Sequence, residues 1–126
     1  MNKGLSFEKR VEEMYSHLGK KSVERDIHIR QKGIHSQFDL TYGSRKKYYI
    51  ECKYRSDSRV SFSDVATFAA KLYLHGIPYS KGIIVTNATY DVRSKAYSKK
   101  RGLTLIDGKK LRSLESTPRS LWDRLF

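Results

Sequence analysis

The sequence predicts one α/β domain over residues 1–126, with a central mixed β-sheet flanked by helices. Three observations predict this fold class. Apolar residues recur at helical spacing in some segments and alternate with polar residues in others. The predicted elements follow the order α-β-β-β-α-β-α-β, an antiparallel meander followed by crossovers that favour parallel strands. A chain of 126 residues has room for one hydrophobic core rather than two.

The helices follow from apolar periodicity and end signals. Residues 5–18 carry apolar side chains three or four positions apart and stop at Gly19. A second helix is predicted over 64–75, with Ser63 as its N-cap and Gly76 at its end. Residues 90–101 form a third helix that ends at Gly102, and 118–126 a short terminal one.

The strands are predicted at 23–29, 37–42, 47–53, 82–86 and 103–107. The second and third form a hairpin with its turn at 43–46. Asp107-Gly108 is expected to be a turn after the last strand.

Charge and composition narrow the function classes. Lys and Arg number 26 against 13 acidic residues, for a net charge of +13, which favours a polyanionic partner, nucleic acid before others. A cationic surface that serves solubility is the alternative. No apolar run has the roughly 20 residues that span a bilayer, and the charged N-terminus does not resemble a signal peptide. The single cysteine excludes an internal disulfide. We therefore expect a cytoplasmic protein without membrane contact.

The hairpin of residues 37–53 carries the residues most typical of catalysis. Alternation places Phe38, Leu40 and Tyr42 on a core face, and Asp39 on the opposite face with Glu51 and Lys53. A turn centred near Arg45 pairs residues whose numbers sum to about 90, which sets Asp39 across from Glu51. Opposed carboxylates repel each other.

A divalent cation such as Mg²⁺ would relieve that repulsion. With the Lys53 ammonium beside it, this set suits phosphodiester hydrolysis. The alternative is a solvated hairpin face on which Lys53 only neutralises Glu51.

Asp39 followed by Glu51-Cys52-Lys53 resembles the PD-(D/E)xK nuclease superfamily, with Phe38 where its name has a proline. Other segments in order resemble the catalytic domain of the Mrr-like restriction endonucleases, namely GLSFEKRVEEMYSHLG, FDL, YYIECKYR, VSFSDVATFAA and KGIIVTNATYDVRSKAYSKKRGLTLIDGKKLRSL. The chain also resembles the archaeal Holliday-junction resolvases.

The resemblance implies a restriction-endonuclease-like fold, double-stranded or branched DNA as partner, and Mg²⁺ as cofactor with Mn²⁺ able to substitute. It implies that Asp39 and Glu51 are metal ligands, with the backbone carbonyl of Cys52 as a further oxygen. Lys53 would orient or activate the water. Glu8 would complete the metal site, directly or through water; its alternative role is a favourable acid in the first turn of a helix.

Three functions remain open: a restriction-type endonuclease, a structure-specific junction resolvase, and a catalytically silent DNA-binding module. The scattered histidines show no ligand spacing and predict no zinc site. Phosphate contacts are expected from Arg45, Lys46, Lys47, Arg55 and Arg59.

A homodimer is expected, because cutting both strands of a duplex in one encounter calls for two sites. Its interface would use apolar residues of the tail and of the end of the second helix: Leu121, Trp122, Leu125, Phe126, Tyr73, Leu74, Ile77 and Tyr79.

Overall fold

The computed structural model describes residues 2–119 and Leu121. Its sheet has five strands in spatial order β1-β2-β3-β4-β5. The pairings of β1 with β2 and of β2 with β3 are antiparallel, whereas β3–β4 and β4–β5 are parallel. This confirms the predicted mixed sheet. The strands are β1 Glu24–Gln31, β2 Ile34–Tyr42, β3 Tyr48–Lys53, β4 Gly82–Thr86 and β5 Thr104–Ile106.

Helices cover both faces of the sheet. The helices are α1 Lys3–His17, α2 Phe62–Leu74, α3 Val92–Arg101 and α4 Gly108–Glu115, with a short 3₁₀ helix at Tyr79–Lys81. Side chains of α1 and α4 share one buried cluster with Leu40 and Ile50, and α2 shares the other with Phe38 and Ile84. Within the described part of the chain, no helix is both long and apolar enough to cross a bilayer.

Two predictions about helix starts need correction, and a third helix prediction stays untested. Ser61, not Ser63, caps α2, because Ser61 and Asp64 form a reciprocal capping box that starts the helix earlier. Asp107-Gly108 is not a turn: the Asp107 side chain accepts the Lys110 N–H, and this cap starts the unpredicted helix α4. The predicted helix at 118–126 lies mostly outside the described residues.

The β1–β2 hairpin is longer than predicted. Its turn is Lys32-Gly33, with φ of +48° and +78°, the backbone of a tight two-residue hairpin turn. Both strands therefore continue to this turn. As a result His35, which falls between the predicted strands 23–29 and 37–42, lies in β2 and pairs with Arg30 of β1.

The alternation of β2 breaks at Asp39. Leu40 packs in the α1–α4 cluster as predicted, but Phe38 packs on the opposite face, 5.0 Å from Tyr49 between ring centroids. The prediction that Phe38 and Leu40 share a face was therefore wrong. The physical reason is local: the β1–β2 pairing skips Asp39 and its counterpart Asp26, which has a φ of +55°.

Candidate active site

The β2–β3 ladder opens where the predicted site begins. Its pairs are Leu40 with Ile50, Thr41 with Tyr49 and Tyr42 with Tyr48, which confirms the predicted register. No pair follows beyond Leu40 and Ile50 in this ladder. Continuing the same register would set Asp39 across from Glu51.

Two polar side chains bond to the backbone at this opening. The Asp39 carboxylate accepts the backbone N–H of Cys52 at 2.8 Å. The Lys71 ammonium, from α2, donates to the backbone carbonyl of Gln37 at 2.6 Å. Polar side chains thus satisfy the backbone groups of Cys52 and Gln37 at the gap between β2 and β3. The gap leaves room for acidic groups.

Carboxylates from three different elements meet at this gap. Burial, followed by the charge and carboxyl group of Asp39, raises the pKa of Glu8 in α1 to about 7. Burial and the Asp39 charge also raise the pKa of Glu51, against the opposing effect of Lys71 and Lys53. Glu51 is only 9% exposed. Asp39 is therefore the common neighbour of Glu8 and Glu51, and the structure brings all three predicted acids together.

Two lysines flank Glu51. The predicted Lys53 has its Nζ 3.7 Å from Oε2 of Glu51. Lys71, which sequence reasoning missed, has its Nζ 3.4 Å from both Glu51 carboxylate oxygens and 4.8 Å above the Phe38 ring. A signal was present, since Lys71 is the one charged residue in the run 65–74.

Glu8 and Asp39 open into a cavity of about 430 Å³, here called the acidic cleft. Glu51 and Lys53 lie outside its lining. Sequence reasoning also missed Arg25, whose charge lowers the pKa of Glu8, and Asp26, whose charge raises it. The lining residues are Leu5, Glu8, Arg25, Asp26, Gln37 and Asp39.

The end of β4 holds the end of β3 in place. Thr86 Oγ1 donates to the Lys53 carbonyl at 2.7 Å. Asn87 accepts the N–H of Arg55 at 2.8 Å and donates to its carbonyl at 2.6 Å. These bonds fix the backbone that carries Lys53.

The predicted basic surroundings of the site are only partly as expected. The Arg55 guanidinium is paired with Asp64 at 2.8 Å instead of pointing to open solvent. Arg45, Lys46 and Lys47 lie at the opposite end of β3 from Lys53, where they line a separate cavity with Lys81. Arg45, Lys46 and Lys47 were expected beside the acidic site because they are close to it in sequence. An extended strand, however, places its two ends far apart in space.

The donor chemistry of the site fits a hard divalent cation. Asp39 and Glu51 offer carboxylate oxygens, and Glu8 offers a third. Burial, followed by the Asp39 charge, raises the pKa of Glu8 and of Glu51, and a cation would relieve the repulsion between these carboxylates. Among residues 2–119 and 121, no three His, Cys, Asp or Glu side chains already form a metal-holding group. Burial raises the pKa of the Cys52 thiol well above its usual range, so Cys52 contributes backbone groups rather than a thiolate.

The chain matches the family model of the Mrr catalytic domain, described as restriction endonuclease, over residues 1–114. The chain belongs to this restriction endonuclease family. The match confirms the resemblance to the Mrr-like restriction endonucleases that was drawn from the motifs.

Solved structures share the fold at low sequence identity. The protein of unknown function AF1548 superposes with a TM-score of 0.69 at 17% identity, over 80% of this chain and 57% of that one. The DNA modification-dependent restriction endonuclease AspBHI gives 0.56 at 13% identity, over 97% and 34%. The MspJI restriction endonuclease in complex with a 27-mer oligonucleotide gives 0.54 at 19%, over 88% and 26%.

The chain thus spans less than two thirds of each of these neighbours. No curated protein sequence matches it significantly.

Proposed function

We propose that this chain is a metal-dependent endodeoxyribonuclease that hydrolyses DNA phosphodiester bonds, with Asp39, Glu51, Lys53 and Glu8 as its catalytic residues. The supporting observation is the meeting of three carboxylates from α1, β2 and β3 beside Lys53, where the β2–β3 ladder opens. DNA as substrate is supported by the net charge of +13 and by the family, whose fold AspBHI shares.

The residues of the site would have different roles in the proposed reaction. Asp39 and Glu51, with the Cys52 carbonyl, would hold Mg²⁺ or Mn²⁺, and Glu8 would bind it directly or through water. A bound Mg²⁺ supplies a more acidic water and a positive charge at the phosphate. Lys53, with 29% of its side chain exposed, places an ammonium where negative charge develops on the phosphorus oxygens. Lys71 holds Glu51 from the α2 side.

One cleavage panel tests the proposal. Linear, methylated, single-stranded and four-way-junction DNA are incubated with Mg²⁺ or Mn²⁺ and either wild type or a variant. We expect metal-dependent cleavage of duplex DNA that Asp39→Asn and Glu51→Gln abolish. Lys53→Met should slow cleavage by about 10²-fold, the scale of losing one electrostatic stabiliser, while DNA affinity stays close to that of wild type.

Glu13→Gln is the control for the loss of a carboxylate, because Glu13 is an exposed acid that does not line the acidic cleft. Binding without cleavage of any substrate would overturn the enzyme proposal and favour a silent DNA-binding module. Cleavage confined to four-way junctions would replace duplex hydrolysis by resolvase activity.

A further inference from the structure

Two histidines meet on the exposed face of the β1–β2 hairpin. His28 lies in β1 and His35 in β2, on diagonal positions of the register. His28 Nδ1 lies 2.8 Å from His35 Nε2, and the ring centroids are 5.1 Å apart. The two residues are seven positions apart in sequence, so only the hairpin register brings their nitrogens together.

A carboxylate fixes the tautomer of His28. Asp26 Oδ1 lies 3.0 Å from His28 Nε2 and accepts a second hydrogen bond from Gln37 at 2.5 Å. An ionised carboxylate can only accept, so Nε2 of His28 carries the hydrogen. In the neutral ring the lone pair is then on Nδ1, the atom that faces His35.

A histidine that binds a metal through one ring nitrogen usually donates its other ring N–H to a carboxylate. His28 has this arrangement, with Nε2 donating to Asp26 and Nδ1 left to bind a metal. Without a cation, the two facing nitrogens share one hydrogen. With a cation, both can present lone pairs. Their 2.8 Å separation is about that of neighbouring ligands which each lie roughly 2.0–2.1 Å from one metal ion.

We propose that His28 Nδ1 and His35 Nε2 chelate a transition-metal dication, with Asp26 as the positioning residue. Imidazole nitrogen selects Zn²⁺, Ni²⁺ or Cu²⁺ over Mg²⁺, which prefers oxygen. Both histidines are exposed, so water can complete the coordination. In the described part of the chain no further His, Cys, Asp or Glu completes a group of three, so the site has two direct protein ligands.

This site is separate from the catalytic one in ligand type and in metal. Its donors are two imidazoles, whereas the catalytic acids offer oxygens. Asp26 connects the two places, since the carboxylate that holds His28 also lines the acidic cleft.

The test uses the full chain carrying Glu8→Gln, Asp39→Asn and Glu51→Gln, so that the catalytic acids do not contribute. Ni²⁺ and Zn²⁺ are titrated by calorimetry in a non-coordinating buffer, with Mg²⁺ as the comparison ion. We expect one equivalent of Ni²⁺ to bind and no matching Mg²⁺ signal. His28→Gln and His35→Gln should each weaken Ni²⁺ binding at least about tenfold, and Asp26→Asn by about tenfold, as for the loss of a second-sphere partner.

His17→Gln is the matched control, since His17 is an exposed histidine at the end of α1. Circular dichroism of each variant checks the fold. Unchanged Ni²⁺ affinity in a folded His35→Gln chain would overturn the proposal and leave a hydrogen-bonded pair. An equal loss in His17→Gln would also overturn it, because binding would then be spread over surface histidines.

Discussion

Lys71 is the residue on which the opening of the sheet depends most directly. Its ammonium contacts both oxygens of Glu51 and the Gln37 carbonyl, and so bridges β3 and β2 where their own pairing has stopped. The ammonium also lies over the Phe38 and Phe68 rings, at 4.8 and 5.9 Å from their centroids, where the ring faces attract a cation. Lys71 is therefore a positioning residue for Glu51 in the proposed reaction.

Replacing Lys71 by Met should change the proton affinity of Glu51. Because the Lys71 charge lowers the Glu51 pKa, its loss lets Glu51 hold a proton to higher pH. The pH at which Mn²⁺ binds, followed by calorimetry, should shift upward in Lys71→Met and return most of the way in Lys71→Arg. Lys95→Met, on α3, is the control. An unchanged profile would show that Lys71 only packs against the aromatic rings.

Glu8 makes the stability of the metal-free protein depend on pH. Its ordinary pKa of 4.5 is raised to about 7 in the folded chain, so the folded state keeps a proton that the unfolded state releases. The free energy of unfolding should therefore fall as pH rises from about 4.5 to 7. The pKa of Glu51 is also raised, so Glu51 likewise makes the free energy of unfolding fall as pH rises.

Urea unfolding in EDTA at several pH values measures this dependence. Glu8→Gln, which cannot titrate, should give a shallower fall than wild type across the window, and Glu13→Gln should follow wild type. Equal slopes in wild type and Glu8→Gln would contradict the assignment.

At the scale of elements, the regular parts of the fold were predictable and the irregular parts were not. Strand β4 was predicted with its exact bounds because GIIVT is a continuous apolar run. The hairpin register followed from the turn position. Helix α4 was missed because Asp107-Gly108 was interpreted as a turn rather than as a cap and first helical residue.

The candidate site shows the same division. Asp39, Glu51 and Lys53 could be selected from strand alternation and motif, and Glu8 from the motif alone. Lys71 could have been noticed as the one charged residue in the run 65–74, but its contact with Glu51 could not have been predicted. Arg25 and Asp26 carried no signal, because their roles depend on where the β1–β2 pairing skips a position. Side-chain alternation with a period of two predicts only regular strands. The candidate site lies at Asp39, where the pairing of β2 with both neighbouring strands is interrupted.

The start of α4 packs tightly against the segment that supports Lys53. A Cβ on Gly108 would clash with the backbone oxygen of Asn87, whose side chain holds Arg55. Gly108→Ala should therefore force the two segments apart and cost about 1–3 kcal/mol, as for overpacking.

Thermal unfolding measures that cost, and the cleavage rate reports any displacement of Lys53. Gly33→Asn is the control, since a Cβ at Gly33 meets nothing within 4 Å and Asn tolerates its positive φ. An unchanged midpoint in Gly108→Ala would show that α4 can shift freely.

At the scale of the whole molecule, apolar side chains remain exposed at the end of α2. Tyr73 is 73% and Leu74 52% exposed, and Leu121 is 43% exposed. Ile77 and Tyr79, expected at the same interface, pack instead against the cluster around Phe68. The predicted contributions of Trp122, Leu125 and Phe126 lie outside the described residues.

We predict a homodimer that uses the exposed end of α2. One proposed catalytic site per chain would cut one strand, and a two-fold pair would match the symmetry of a duplex. Light scattering at micromolar concentration should give about twice the chain mass of 14.7 kDa. The double variant Tyr73→Lys, Leu74→Glu should be monomeric and should nick supercoiled plasmid rather than linearise it.

Val92→Lys, which changes a residue of α3 that is 77% exposed, should remain dimeric. A wild-type mass near that of one chain, unchanged by DNA, would instead establish a nicking monomer, because each encounter would then bring a single set of Asp39, Glu51 and Lys53 to the duplex.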